Sequence, residues 1–118
     1  MVDLARAERV AEAWIAGWNA HDIEAVLALY GEDAEQVSPL AARLLGGPIV
    51  RGKDALREYF RTGLRRSPDL RFELIDVFAG VSSITIVYHN HRQQRVAETL
   101  VLDDSGKIVQ VLVAHRPA

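Results

Sequence analysis

The 118-residue chain contains no cysteine. It therefore has neither a disulfide framework nor a thiolate nucleophile, and its four histidines cannot join cysteines in a zinc-type cluster. An excess of charge of either sign is also lacking. Fourteen Lys and Arg against sixteen Asp and Glu leave a net charge of -2, so there is no basic field for nucleic acid to recognise. No apolar run reaches the length of a membrane span, and the charged, amphipathic start lacks the apolar core of a signal peptide. A cytoplasmic protein is expected, with no nucleic-acid or membrane partner. Repeats, low-complexity segments and linkers are absent too. Hydrophobic residues make up 49% of the chain, which at this length is enough for one domain, residues 1–118, with a real core.

What is present is strong periodicity. Leu4, Ala7, Ala11, Trp14, Ile15 and Trp18 recur at helical spacing, with Arg6, Glu8, Arg9 and Glu12 on the other side. Asp22 is placed to cap a second helix through Ile23, Val26, Leu27 and Tyr30, ended by Gly31. Residues 34–38 read as a short strand. Ser38-Pro39 then has the form of a cap with proline in the first turn, opening one or two turns of helix over LAARLL before Gly46-Gly47. A third main helix starts near Lys53, carries Leu56, Tyr59, Phe60 and Leu64, and stops before Pro68.

From Leu70 the period changes to two, and four strands follow, with breaks at Gly80, at Arg92 to Gln94 and at Asp103 to Gly106. The expected class is α+β, with three N-terminal helices packed on a curved, mostly antiparallel sheet.

The last two strands hold the most informative anomaly. Val96, Glu98, Leu100 and Leu102 share one face, and Val109, Val111, Val113 and His115 share another. A carboxylate and an imidazole thus interrupt two apolar rows, where burial is costly. A carboxylic acid held in an apolar pocket has a raised pKa and can work as acid, base or hydrogen-bond donor near neutral pH. The structural alternative is a pairing of Glu98 with Arg92, Arg95 or Arg116, or an exposed position. If Leu102 and Lys107 bracket a four-residue turn, Glu98 faces Val111 and His115 lies roughly 13 Å along the partner strand, too far for a triad with Ser38.

His89 and His91 are two apart, on one strand face. A two-residue turn at Arg92-Gln93 or Gln93-Gln94 puts both on the Glu98 side, and the second register sets His89 opposite Glu98. A three-residue turn reverses this. Without a third ligand, the two histidines do not make a metal site.

The segments WNAHDIEAVLALYGEDAE, RGKDALREYFRTGL and DDSGKIVQVLV resemble the nuclear transport factor 2-like superfamily, in its SnoaL-like branch, over essentially the whole chain. The resemblance implies a cone-shaped α+β barrel. One apolar cavity would lie between helices and sheet, and the outer sheet face would form a homodimer. It also implies that Glu98 and His115 point into the cavity, and that Trp14, Trp18, Tyr30, Tyr59, Phe60, His91, Leu100, Val111 and Val113 wall it.

Compared with ketosteroid isomerases in the same superfamily, the position of the catalytic base carries Ser38. The oxyanion-hole tyrosine falls on Trp14, a supporting tyrosine matches Tyr30, another is replaced by Phe60, and Glu98 stands where the protonated acid stands. The Asp-Arg-Asp set of limonene epoxide hydrolases has no clear counterpart.

The expected function is therefore cofactor-independent and metal-free acid/base chemistry on a small apolar organic substrate, of isomerase, cyclase or dehydratase type. Glu98 would be the acid or base, His115 or His89 the proton partner, and Ser38 an orienting group. A non-catalytic ligand-binding or dimerisation module is the alternative, and an epoxide hydrolase-like enzyme the third.

Overall fold

The computed structural model describes residues 1–116. Four helices and six strands follow one another as α1 (Leu4–Asn19), α2 (Ile23–Leu27), β1 (Tyr30–Val37), α3 (Pro39–Leu45), β2 (Ile49–Arg51), α4 (Lys53–Arg66), β3 (Glu73–Ala79), β4 (Ser83–His89), β5 (Arg95–Leu102) and β6 (Ile108–His115). All strands lie in one sheet of order β2-β1-β6-β5-β4-β3, antiparallel except where β1 runs parallel to β6. This is the expected α+β arrangement, with α3 as a fourth, short helix and β2 as an extra edge strand.

Local chemistry accounts for the helix limits. Asp3 and Asp22 accept hydrogen bonds from Arg6 N and Ala25 N and cap α1 and α2. Ser38 accepts from Leu40 N at the start of α3, and Gly46 ends that helix at a φ of 78°. The second helix is shorter than its apolar pattern implies, because Tyr30 and Gly31 belong to β1 and not to the helix.

Two turns set the sheet register, and they share one design. Asn90 Oδ1 accepts from Arg92 N and Gln94 N, while Asp103 Oδ1 accepts from Ser105 N and Lys107 N. In both, the first backbone N–H donates to the carbonyl four residues on, and the fourth residue, Gln93 or Gly106, takes a left-handed φ of 62° or 88°. Each is thus a three-residue hairpin loop closed by a left-handed residue. The first loop pairs Tyr88 with Val96 and Ile86 with Glu98. After the second loop the register shifts between Val101 and Leu102, so Glu98 pairs with Val113 and Val96 with His115. This differs by two residues from the pairing a four-residue turn gives. The bulge also turns Ile108 inward in place of Val109.

The core lies between the helices and the inner sheet face. Ile84, Ile86, Leu100 and Val111 from the sheet meet Ala11, Trp14, Val26 and Leu56 from the helices. Asn19 ties the end of α1 to the strand side, its amide donating to Phe72 O at 2.9 Å and its carbonyl accepting from Phe72 N at 2.7 Å. The α1–α2 contact is close at Gly17, where an added Cβ would sit 2.8 Å from Cγ2 of the fully buried Val26.

Alanine within a helix ordinarily stabilises relative to glycine by about 1 kcal/mol. Here the stiff β-branched Val26 cannot give way. Gly17→Ala is expected to destabilise the protein by about 1–3 kcal/mol, measured by urea unfolding; an unchanged or raised midpoint would show that the helices separate freely at this point.

Candidate functional site

A cavity of about 700 Å³ opens between the inner sheet face, α3, α4 and the β4–β5 turn. Pockets of this size hold small organic molecules. Its wall is aromatic where Trp18, Phe60 and Phe72 meet, with ring centroids of Trp18 and Phe60 4.8 Å apart and of Phe72 and Tyr88 4.2 Å apart.

Glu98 sits in this wall from the middle of β5 and is only 6% exposed. The three-residue turn puts Tyr88 on the same face, and the Tyr88 hydroxyl donates a hydrogen bond to Glu98 Oε2. Burial pushes the Glu98 carboxyl up to about 7, and the Tyr88 hydrogen bond opposes part of that rise by favouring the charged form. Burial likewise holds the Tyr88, Tyr30 and Tyr59 hydroxyls above the usual phenol range, and the Glu98 charge adds to the effect on each. Tyr88 contacts the carboxyl directly, and the charge of Glu98 is felt at all three hydroxyls. Tyr30 accepts a hydrogen bond from Trp14 Nε1 at 3.2 Å, and Tyr59 shares one with Ser38 at 3.1 Å.

The expected site residues separate into those on the cavity wall and those off it. Glu98, His115, Ser38, Trp18, Tyr59, Phe60, His91 and Val113 line the cavity. Trp14, Tyr30, Leu100 and Val111 do not; they are fully buried in the core behind it. His89 lies elsewhere: it pairs with Arg95 and Glu73 on the outer sheet face, as the three-residue turn requires, and so is no partner of Glu98. His91 escapes that alternation because it belongs to the turn itself.

His115 and Glu98 are diagonal neighbours on β6 and β5, with about 7–8 Å between Cα positions of this type, much nearer than the four-residue turn implies. Burial lowers the His115 pKa, and the adjacent Arg43 guanidinium lowers it further. Glu98 has no arginine partner within salt-bridge distance among the described residues. The structural alternative of a Glu98–arginine ion pair is thereby set aside.

Several further residues line the cavity that the sequence does not single out as site residues: Gln36, Arg43, Arg66, Phe72, Tyr88 and Arg92. Tyr88 was legible only through the turn length, and Asn90 was the residue that fixed it. Two polar side chains on the wall lack partners: Trp18 Nε1 and both ring nitrogens of His91 are buried and make no hydrogen bond among the described residues. Asp69 Oδ1 is 3.8 Å from His91 Nε2, beyond hydrogen-bond range. Among the described residues no three His, Asp or Glu side chains converge as metal ligands. No helix among them is long and apolar enough to cross a membrane.

No curated protein sequence matches the chain. Among solved structures, a SnoaL-like protein of unknown function from Burkholderia thailandensis is 32% identical, covers 99% of this chain and 100% of its own, and superposes with a TM-score of 0.95. TerC, co-crystallised with polyporic acid, is 17% identical, with 93% and 91% of the two chains covered and a TM-score of 0.78. The epoxide hydrolase/cyclase-like enzyme SalBIII, described in pyran ring formation in the polyether salinomycin, is 20% identical, with 98% and 95% covered and a TM-score of 0.76. The last two likenesses establish the fold alone. The SnoaL-like domain model matches residues 11–111, from within the first helix into the last strand, and the chain belongs to the SnoaL-like domain family.

Proposed function

We propose that this protein binds a small organic molecule in the cavity and carries out cofactor-independent acid/base chemistry on it, of isomerase, cyclase or dehydratase type. The observation that carries the reading is Glu98, a buried carboxyl on the cavity wall, hydrogen-bonded by Tyr88 and pushed by burial up to about 7. Such a group exists in both protonation states at neutral pH. It can take a proton from a carbon or oxygen acid and return it at a second position. Tyr88 steadies the carboxylate while it is charged, and the carboxyl's second oxygen is the one left for a substrate. His115, a diagonal neighbour whose pKa burial and Arg43 lower toward the uncharged imidazole, is the second proton-carrying group on the wall. Relatives of the same fold include one crystallised with an organic acid and one involved in ring formation, which agrees with small organic substrates.

A non-catalytic binding module is the second reading, and Ser38 favours it. Its hydroxyl caps α3 and bonds Tyr59, so it is occupied by structural duties where a strong base would be needed for enolisation. Assembly as a homodimer is proposed on either reading. A row of outward residues, Phe78, Thr85, Thr99, Leu112, Val37 and Ile49, crosses the sheet in register, with Phe78, Leu112 and Ile49 well exposed.

The catalytic reading predicts that Glu98→Gln lowers turnover of an accepted enone, epoxide or polyketide-like substrate by about 100-fold or more while the ligand still binds. Retained turnover, or loss of binding with loss of fold, would count against it. The pH dependence of stability is a separate check. A carboxyl whose folded pKa is raised binds more protons folded than unfolded, so its contribution is unfavourable at high pH. Stability should fall as pH rises from 4.5 to about 7, by about 3 kcal/mol from this group. Glu98→Gln should remove that slope and be the more stable form at pH 8, as read by urea unfolding; a parallel pair of pH profiles would contradict it. Leu112→Glu should convert a dimer into monomers in sedimentation velocity, and a wild-type protein that is already monomeric at micromolar concentration would end the dimer proposal.

A further inference from the structure

The polar groups on the cavity wall are strongly biased in sign. Three arginines line it, Arg43 from α3, Arg66 from the end of α4 and Arg92 from the β4–β5 turn, and among the described residues Glu98 is the only carboxylate on the wall. None of the three arginines has a salt-bridge partner among the described residues. All three arginines are exposed, whereas Glu98 is buried, so positive charge gathers at the mouth and the titrating carboxyl lies within.

The unpartnered atoms point the same way. Trp18 Nε1–H can only donate, it is buried on the cavity wall, and it has no acceptor. His91, partly buried with both ring nitrogens enclosed and unpartnered among the described residues, offers a donor in either tautomer. Ser38 and Tyr59, which could also act as acceptors, are already bonded to each other. The wall thus carries unsatisfied donors beside the Gln36, Asn90 and Gln94 amides, which offer both donor and acceptor, with Trp18, Phe60 and Phe72 as its aromatic part.

We infer that the cavity selects an organic anion, a molecule with an apolar, ring-containing body and a carboxylate or enolate group directed to the arginines at the mouth. This rests on the ligand-cavity reading above and adds the charge of the ligand to it. The anionic group finds guanidinium donors in fork geometry, the ring body covers the aromatic wall, and acceptor atoms of the ligand satisfy the Trp18 and His91 donors. A mouth of one sign in a chain of opposite net charge also steers such ligands in, an effect that salt weakens.

Two fluorescent probes of nearly the same body test this. 8-Anilino-1-naphthalenesulfonate carries an anionic group, and N-phenyl-1-naphthylamine is its neutral counterpart. The anion should bind at least about tenfold more tightly and weaken as salt rises from about 20 mM to about 500 mM, with the neutral probe unaffected. The triple variant R43Q/R66Q/R92Q should lose about tenfold for the anion alone, its unchanged affinity for the neutral probe showing that the cavity is still formed. Val113→Trp, which projects an indole into the cavity beside Glu98, should block binding of both. Equal affinities, an anion indifferent to the triple variant, or anion binding that survives Val113→Trp would each overturn the inference. If neither probe binds, the ligand-cavity reading itself fails, whereas tight binding of the neutral probe alone overturns only the anion.

Discussion

A carboxyl group with almost no access to water must be neutral or be compensated, and the rest of the site follows from how Glu98 meets that demand. Among the described residues no cation reaches it. The compensation is one phenolic hydrogen bond from Tyr88, with Tyr30 and Tyr59 nearby in the same low-dielectric surroundings. One neutral donor lowers the pKa less than burial raises it, so the group is left near neutrality. An arginine in place of Tyr88 would have fixed the charge and removed the proton chemistry. The three pocket arginines instead line the exposed mouth of the cavity, where they do not fix the charge of the carboxyl.

The position of Glu98 depends on two hairpin turns that use the same device. In each, an Asx side chain collects two backbone N–H groups and a left-handed residue closes a three-residue loop. A loop of that length decides which parity of β4 faces β5. It therefore turns Tyr88 toward Glu98 and His89 away. A turn of one residue fewer would exchange a phenol for an imidazole at the carboxyl and produce a different acid/base pair from nearly the same sequence.

The helices, their caps and the change to period-two strands were legible from the chain because each rests on local chemistry: Asp22 before an apolar stripe, Ser38 before Pro39, alternation through Val96, Glu98 and Leu100. The anomaly of a glutamate among strand valines and leucines was legible for the same reason. What was not legible depended on register. Asn90 held the information on turn length, but the dipeptides after it read equally well as two-residue turns, and the bulge after Val101 has no sequence mark. Arg43 and Arg66 look like ordinary solvated helix residues until α3 and α4 are brought to the cavity mouth. Wall and core aromatics likewise share one hydrophobic pattern, so Trp14 and Tyr30 could not be told from Trp18 and Phe60.

The SnoaL-like fold accommodates many reactions, so the account stands on the protonation behaviour of one side chain. The most direct test is a carboxyl-carbon NMR titration of Glu98, assigned by its loss in Glu98→Gln and repeated in Tyr88→Phe. The account predicts a midpoint near 7 in the wild type and a still higher one in Tyr88→Phe, because the lost hydrogen bond favoured the charged form. A midpoint near the ordinary carboxyl value of 4.5 in both proteins would contradict it, and would mean that water or a cation reaches Glu98 in solution.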